Sequence, residues 1–413
     1  MNKKILFAVI FTIFIDMLGF GILIPVIPQL LANPTSPFYV LSGSITVAQG
    51  YILLGLLTAI FPFMQFIATP ILGELSDRFG RKPVLAVSLF GTAISYVLFA
   101  IGILTKKLPL LFISRAFDGI TGGNIAVAQA AIADVSTLEN RTKNFGLMGA
   151  AFGMGFILGP YIGGKLSDPS SVSWFTAATP FWFAAILAFI NTLSVVYLLP
   201  ETLKVKTKEF SLHLGKSFKN IAKVFRLKEL RPLFATNFLF QSGFTFFTTF
   251  FSVFLITKFN FTQNAIGNYF AYVGIWIAFS QAVVTRKVSA RFTSQQILRF
   301  SLIGTGAFIL LQFVPNAWWG LLIITPFFAI FNGLSTANLA SLVSRSAGSE
   351  IQGQILGINA SVQALAQTIP PIISGFLAAA IAARAPIVVS GVMIILAGVL
   401  FIFFFKNKKE SSV

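Results

Sequence analysis

Apolar residues in this chain do not alternate with polar ones; they run in long blocks separated by short polar breaks. Twelve blocks can be delimited, at 5–31, 45–73, 83–104, 108–134, 145–165, 178–199, 232–257, 264–284, 297–314, 318–343, 352–382 and 386–405. About 20 apolar residues in a helix, at 1.5 Å each, cross roughly 30 Å of hydrocarbon. The pattern therefore predicts an all-α integral membrane protein with 12 transmembrane helices. Several blocks exceed the minimum, which predicts tilt or kinks. Between the sixth and seventh blocks the chain is polar and basic, and Phe210, Leu214, Phe218, Ile221 and Phe225 recur there at helical spacing. That stretch is expected to include an amphipathic surface helix. The predicted organisation is a bundle at 1–199, a cytoplasmic linker at 200–231, a second bundle at 232–405 and a tail at 406–413.

Composition agrees: 56% of residues are hydrophobic, 10% are charged, 48 are Phe, and the mean hydropathy is +0.86. A net charge of +18 would suit a nucleic-acid partner, but placement argues for a lipid bilayer. Basic residues fall on alternate connections: Lys3 and Lys4; Arg78, Arg81 and Lys82; Arg141 and Lys143; the run from Lys204 to Arg231; Arg286, Lys287 and Arg291; Arg345; and Lys406, Lys408 and Lys409. The other face receives Lys106, Lys107, Lys165, Lys258 and Arg384. Positive charge marks the cytoplasmic side, so a multi-pass protein of the cytoplasmic (inner) membrane is expected, with both termini cytoplasmic and no nucleic-acid partner. Lys3 and Lys4 before the run Ile5 to Ile15 imitate a signal peptide. Asp16 interrupts that run and no small-x-small site follows promptly, so the first block is read as a span. With no cysteine and the single His213, thiol chemistry, a His-based catalytic centre and a transition-metal site lack residues. Neither an enzyme, a metal site nor a cofactor is expected.

The two halves align locally. The segment Phe117 to Ala126 pairs with Phe331 to Ala340 at an offset of 214 residues, Ser76 to Phe79 with Ser289 to Phe292 at 213, and Pro160 and Gly164 with Pro371 and Gly375 at 211. Repeats of this kind predict two pseudo-symmetric six-helix bundles around a central path.

Four motifs stand out: Asp16-Met-Leu-Gly19 with Pro25 and Pro28; the charged stretch Gly73 to Lys82, read as a short loop between spans; Arg115-Ala-Phe-Asp118-Gly119; and Gly149, Gly153, Gly155, Gly159, Pro160, Gly163 and Gly164 in the fifth block. Together they resemble the twelve-helix drug:proton antiporters of the major facilitator superfamily, close to the tetracycline-exporter group. The resemblance implies the major facilitator fold. It also implies proton-coupled export of an amphipathic drug or metabolite by alternating access, driven by the proton gradient, in a monomer. A proton symporter moving a specific metabolite, siderophore or nutrient is the alternative. Tetracycline exporters carry further intramembrane acids in the third and ninth helices, where this chain has Ser95 and Ile303.

The resemblance assigns roles. A gating loop would comprise Gly73, Asp77, Arg78, Gly80, Arg81 and Lys82. Asp77 would face the start of the eleventh span near Gln352 and Gly353, and Arg78 or Arg81 would pair with Asp134. Residues Gly155, Gly159, Pro160, Gly163 and Gly164 would form a hinge or seal; a static packing seam is the other reading.

Ionisable groups inside spans are costly and usually face a cavity. Asp16 lies about 17 Å past the start of its block, and Arg115 and Asp118 share one helix face. Burial favours the neutral carboxyl and a guanidinium favours the charged one, so Asp16 is the first candidate for proton coupling, with Asp118 second and Arg115 as the tuning cation. A permanent Asp–Arg structural pair, or an Arg115 that snorkels outward, stays open. The repeat places Ala329 opposite Arg115, Asn332 opposite Asp118 and Ala290 opposite Asp77. Candidate substrate-cavity groups are Gln49, Asn124, Gln241, Asn332, Asn338, Asn359 and Gln363, with Gln65, Gln129, Asn237, Gln281 and Gln367 beside them.

Overall fold

The computed structural model describes residues 3–136, 138–203, 215–224, 230–345 and 352–405, and every regular element among them is helical. In chain order these are α1 (Lys3–Leu31), α2 (Val47–Phe79), α3 (Arg81–Leu104), α4 (Leu108–Thr121), α5 (Asn124–Val135), α6 (Leu138–Leu166), α7 (Thr179–Leu198) and α8 (Lys216–Val224). Then follow α9 (Arg231–Phe259), α10 (Gln263–Phe279), a π-helical turn (Ser280–Val284), α11 (Thr285–Ser289), α12 (Ser294–Leu311), α13 (Trp319–Arg345), α14 (Gln352–Ala380) and α15 (Ala385–Phe404). Among the described residues, nine helices are long and apolar enough to cross a bilayer.

Three predicted blocks fall outside those nine. The block 108–134 is divided into α4 and α5 at Gly122 and Gly123. Both glycines lie against α2: a Cβ on Gly122 would meet the Phe61 ring at 3.1 Å and one on Gly123 the Thr69 backbone at 3.0 Å. The block 264–284 is interrupted by the π-helical turn, and α12 opens on Ser294, Gln295, Gln296 and Arg299, which dilute its apolar share.

The stretch Gly73 to Lys82, expected as a loop, is corrected. Helix α2 continues through Phe79, and Gly80 alone joins it to α3, at φ 111° and ψ 158°. L side chains rarely adopt that backbone conformation, so glycine is what permits so abrupt a turn. Charged side chains do not end the helix because its backbone stays hydrogen-bonded while water takes the side chains. The side bearing Gly80 also carries Arg78, Arg81 and Lys82 and is the basic face.

Packing divides along the chain. One buried cluster, including Ile22, Leu57, Phe99 and Phe181, and another, including Ile13, Leu89, Val127 and Val195, draw almost wholly on α1 to α7. A third, including Phe240, Phe251, Phe270 and Phe328, draws on residues after 230. The two sets meet where glycines permit close approach: α2 against α14 at Gly55 and Gly375, and α6 against α10 at Gly164 and Gly267.

Candidate functional site

The α1/α6 seam positions Asp16. A Cβ on Gly155 would lie 2.8 Å from the Phe14 carbonyl, and one on Gly159 would lie 2.6 Å from that of Leu18 and 2.7 Å from Gly21 Cα. With this spacing of four, α6 presses on the turns of α1 that carry Asp16. On another side of α1, Gly19 leaves room for the Tyr96 ring, whose hydroxyl occupies the place a side chain would take.

Asp16, Arg115 and Asp118 line one narrow space, together with Met17, Phe20, Phe61, Gln65, Thr92, Tyr96, Gly122 and Ile125. Arg115 Nη1 donates to Asp118 Oδ2 at 2.5 Å, and both residues are buried. The guanidinium lies over the Phe61 ring, 4.5 Å from its centroid. Arg115 is therefore held inward and does not snorkel. Asp16 Oδ2 and both polar side-chain atoms of Asn124 are buried and make no hydrogen bond of good geometry, with the Asn124 amide lying toward the Asp16 carboxylate. Of the two acids, Asp118 has a direct cationic partner, while Asp16 retains an unpartnered oxygen. Gln65 donates to the Gly122 carbonyl at 2.7 Å, tying α2 to the break between α4 and α5.

At the basic face, Arg81 carries the charge cluster. Its Nη1 meets Asp77 Oδ1 and Ser76 Oγ, each at 2.6 Å, and its Nε donates to Asp134 Oδ2 at 3.1 Å. Of the two expected partners for Asp134, Arg81 makes this pair, while Arg78 lies against the Phe79 ring. Gly73 sits in open space within α2. The surroundings of Gln352 and Gly353, the expected neighbours of Asp77, fall outside what is described, although both belong to the backbone of α14. The Glu201 carboxylate accepts from the backbone N–H groups of Arg81 at 2.9 Å and Lys82 at 3.3 Å, at the N-terminus of α3, and Thr202 donates to Asp134 at 3.3 Å. Sequence reasoning missed Glu201 and Thr202. The visible signal was an acid just past the end of α7, where a helix start lacking its own acid could use one.

The glycine motif has two contact faces. Gly155, Gly159 and Gly163 face α1 and Gly164 faces α10 at Gly267, while Pro160 spans both, its ring against Gly21 of α1 and its carbonyl against Gly267. Gly149 and Gly153 touch nothing within 4 Å of a built Cβ.

The amide candidates scatter. Gln49 is withdrawn from the cavity set: it forms a capping box with Thr46 at the exposed start of α2. Asn237 donates to Asn359 at 2.7 Å, and Asn338 donates to the Leu334 carbonyl at 2.9 Å. Asn332 is buried with its Oδ1 unpartnered. Gln241 and Gln363 are half-buried, while Gln129, Gln281 and Gln367 are exposed. Ser95 is fully buried, and Ile303 is more than a third exposed.

The family model described as "Major Facilitator Superfamily" matches residues 9–305 and 233–413. A tetracycline resistance protein, class H, of Pasteurella multocida is 32% identical over 91% of this chain and 89% of its own length. The quinolone resistance protein NorA of Staphylococcus aureus is 30% identical over 91% of this chain and 90% of its own. Among solved structures, a D-xylose-proton symporter superposes with a TM-score of 0.78 over 98% of both chains at 15% identity, a likeness of fold alone.

Proposed function

This chain belongs to the Major Facilitator Superfamily, and on that premise we propose that it is a proton-coupled exporter of amphipathic small molecules, working by alternating access. Its relatives are named for resistance to tetracycline, quinolones and multiple drugs, which supports a drug-like substrate class. The finer architecture belongs to the same reading: twelve spans in two pseudo-symmetric bundles, 1–199 and 232–405, joined by a cytoplasmic linker at 200–231. The protein acts as a monomer in the cytoplasmic membrane, both termini cytoplasmic, with the proton gradient as energy source and no cofactor.

One observation carries the mechanism: Asp16 keeps an unpartnered carboxyl oxygen beside the Arg115–Asp118 pair, in a space lined by Phe20, Phe61 and Tyr96. In this reading Asp16 takes and releases the proton, and Arg115 couples to it by shifting between the two acids as substrate enters. A carboxyl buried in lipid has reason to be there, since the position is costly unless used. Pro160 with the glycines around it favours export over the symport alternative. Residues Asp77, Arg81 and Asp134 serve as the gate on the cytoplasmic side. Amides such as Asn332, Asn359 and Gln363 contribute substrate surface.

The test uses inverted membrane vesicles and fluorescent amphipathic compounds. Asp16→Asn should bind substrate yet fail to accumulate it on an imposed pH gradient. Full coupling in that variant, with coupling lost in Asp118→Asn, would transfer the proton role to Asp118.

A further inference from the structure

The helix α8 touches both sets of helices from one short stretch of chain. Buried Ser217 donates from Oγ to the Phe66 carbonyl of α2 at 2.6 Å, and the Phe218 ring stands edge-on to that of Phe66 at 5.0 Å. One turn on, Asn220 Nδ2 donates to Ser361 Oγ of α14 at 3.4 Å. Ile221 and Val224 pack on the buried cluster formed by residues after 230. Positions 217, 220, 221 and 224 share a helix face, so that face is divided between the two sets, while Lys219 and Lys223 remain exposed.

Helix α2 also packs directly on α14. Gly55 meets Gly375 backbone to backbone, about 16 Å along α2 from Phe66 and about 21 Å along α14 from Ser361. If the two helices turn about that backbone contact, α8 lies as a strap across their arms. A rigid-body rotation of about 15° acting over roughly 16 Å displaces the arms by about 4 Å, more than a hydrogen bond tolerates. One hold must break. The chain between α8 and α9 is the short stretch 225–230, whereas 199–215 separates α7 from α8. The shorter tether, with Ile221 and Val224, keeps α8 with α9 and α14.

We propose that α8 is a strap across the cytoplasmic opening, which travels with α14 and releases Phe66 of α2 each time the opening widens. This rests on the alternating-access reading above. In the arrangement described, the strap bridges the mouth through which a cytoplasmic substrate would enter.

The chain has no cysteine, so introduced thiols report without background. Cross-linking Phe66→Cys to Phe218→Cys with a short bifunctional thiol reagent should cut flux in vesicles at least tenfold, with recovery on reduction. Linking Asn220→Cys to Ser361→Cys should leave flux within twofold. Undiminished flux in a fully linked 66–218 pair, or loss of flux in the 220–361 pair, overturns the strap. Should Phe66→Cys fold poorly, Ser217→Cys serves alone: its thiol, shielded against α2, should react with an impermeant maleimide several-fold faster under an imposed pH gradient. An unchanged rate rejects the proposal. Absence of flux in the unlinked proteins counts against the transporter reading, and the Ser217→Cys rate still judges the strap.

Discussion

Arg81 reaches Asp134 across the space between α3 and α5, its Nε 3.1 Å from the carboxylate, while its Nη1 holds Ser76 and Asp77. Three acceptors converge on one planar fork, a geometry that a lysine ammonium cannot reproduce. Arg81→Lys should therefore fold yet export about tenfold more slowly, a loss of about 1.4 kcal/mol in the rate-limiting step. Asp77→Asn, which removes the most exposed of the partners, should slow export less and leave the fold intact. Initial rates normalised to protein content in vesicles decide it; equal turnover in Arg81→Lys and the native protein would end the gating role.

The two acids in the membrane should differ in what they do for the fold. Asp118→Asn leaves the buried Arg115 without its carboxylate, and an uncompensated buried charge costs about 3–5 kcal/mol. Asp16→Asn removes no ion pair. The expected outcome is a sharply lower unfolding temperature in detergent for Asp118→Asn and a near-native one for Asp16→Asn. The opposite ranking would show that Asp16 is the structural acid.

On α6, the glycines that look alike in sequence should respond differently. Gly159→Val places atoms within 2.7 Å of the α1 backbone, whereas Gly153 has nothing within 4 Å. Overpacking costs about 1–3 kcal/mol, and here it also pries α1 from α6. Gly159→Val should abolish export while Gly153→Val preserves most of it, as measured by dye efflux from whole cells with matched expression.

Opposite the basic face, the Asp168 carboxylate ties the connection after α6 to the start of α10. Burial pushes its pKa upward, but hydrogen bonds from Ser170 Oγ and N and from Asn264, with the charge of Lys165, outweigh that and hold it below the usual carboxylate range. A depressed folded pKa contributes stability above the unfolded value of about 3.9, and that contribution is lost as pH falls through the lower folded value. Unfolding temperatures of the native protein and Asp168→Asn should differ by a constant amount from pH 7 to about pH 5, and the difference should narrow progressively as pH falls below about 4. A difference undiminished at the lowest pH the fold survives would show that the contact does not depend on the charge.

The helical blocks were legible because lipid forces every backbone group into a local hydrogen bond, leaving a long apolar run little other choice. Asp16, Arg115 and Asp118 were legible for the same reason, since a charge in such a run is conspicuous. What could not be read depends on neighbours remote in sequence. The break at Gly122 and Gly123 follows from α2 pressing on that turn, and nothing in residues 108–134 shows where α2 lies. Tyr96 is unremarkable within its own block and gains its place only because Gly19 makes room. The continuation of α2 to Phe79 was hidden by charge, which marks the water boundary and says little about where a helix ends. Glu201 reads as linker in sequence because the α3 N-terminus it caps lies 120 residues away.

The crowding along α6 separates what selection can revise from what it must leave alone. With α1 on one side and α10 on the other, each at backbone contact, residues 155, 159, 163 and 164 have no spare volume, so even a methyl group there must move a whole helix. A side chain that faces open space bears no such restriction. A lineage exposed to a new toxic compound would thus find its useful mutations in the lining, and substrate range could drift widely while the central seam stays fixed.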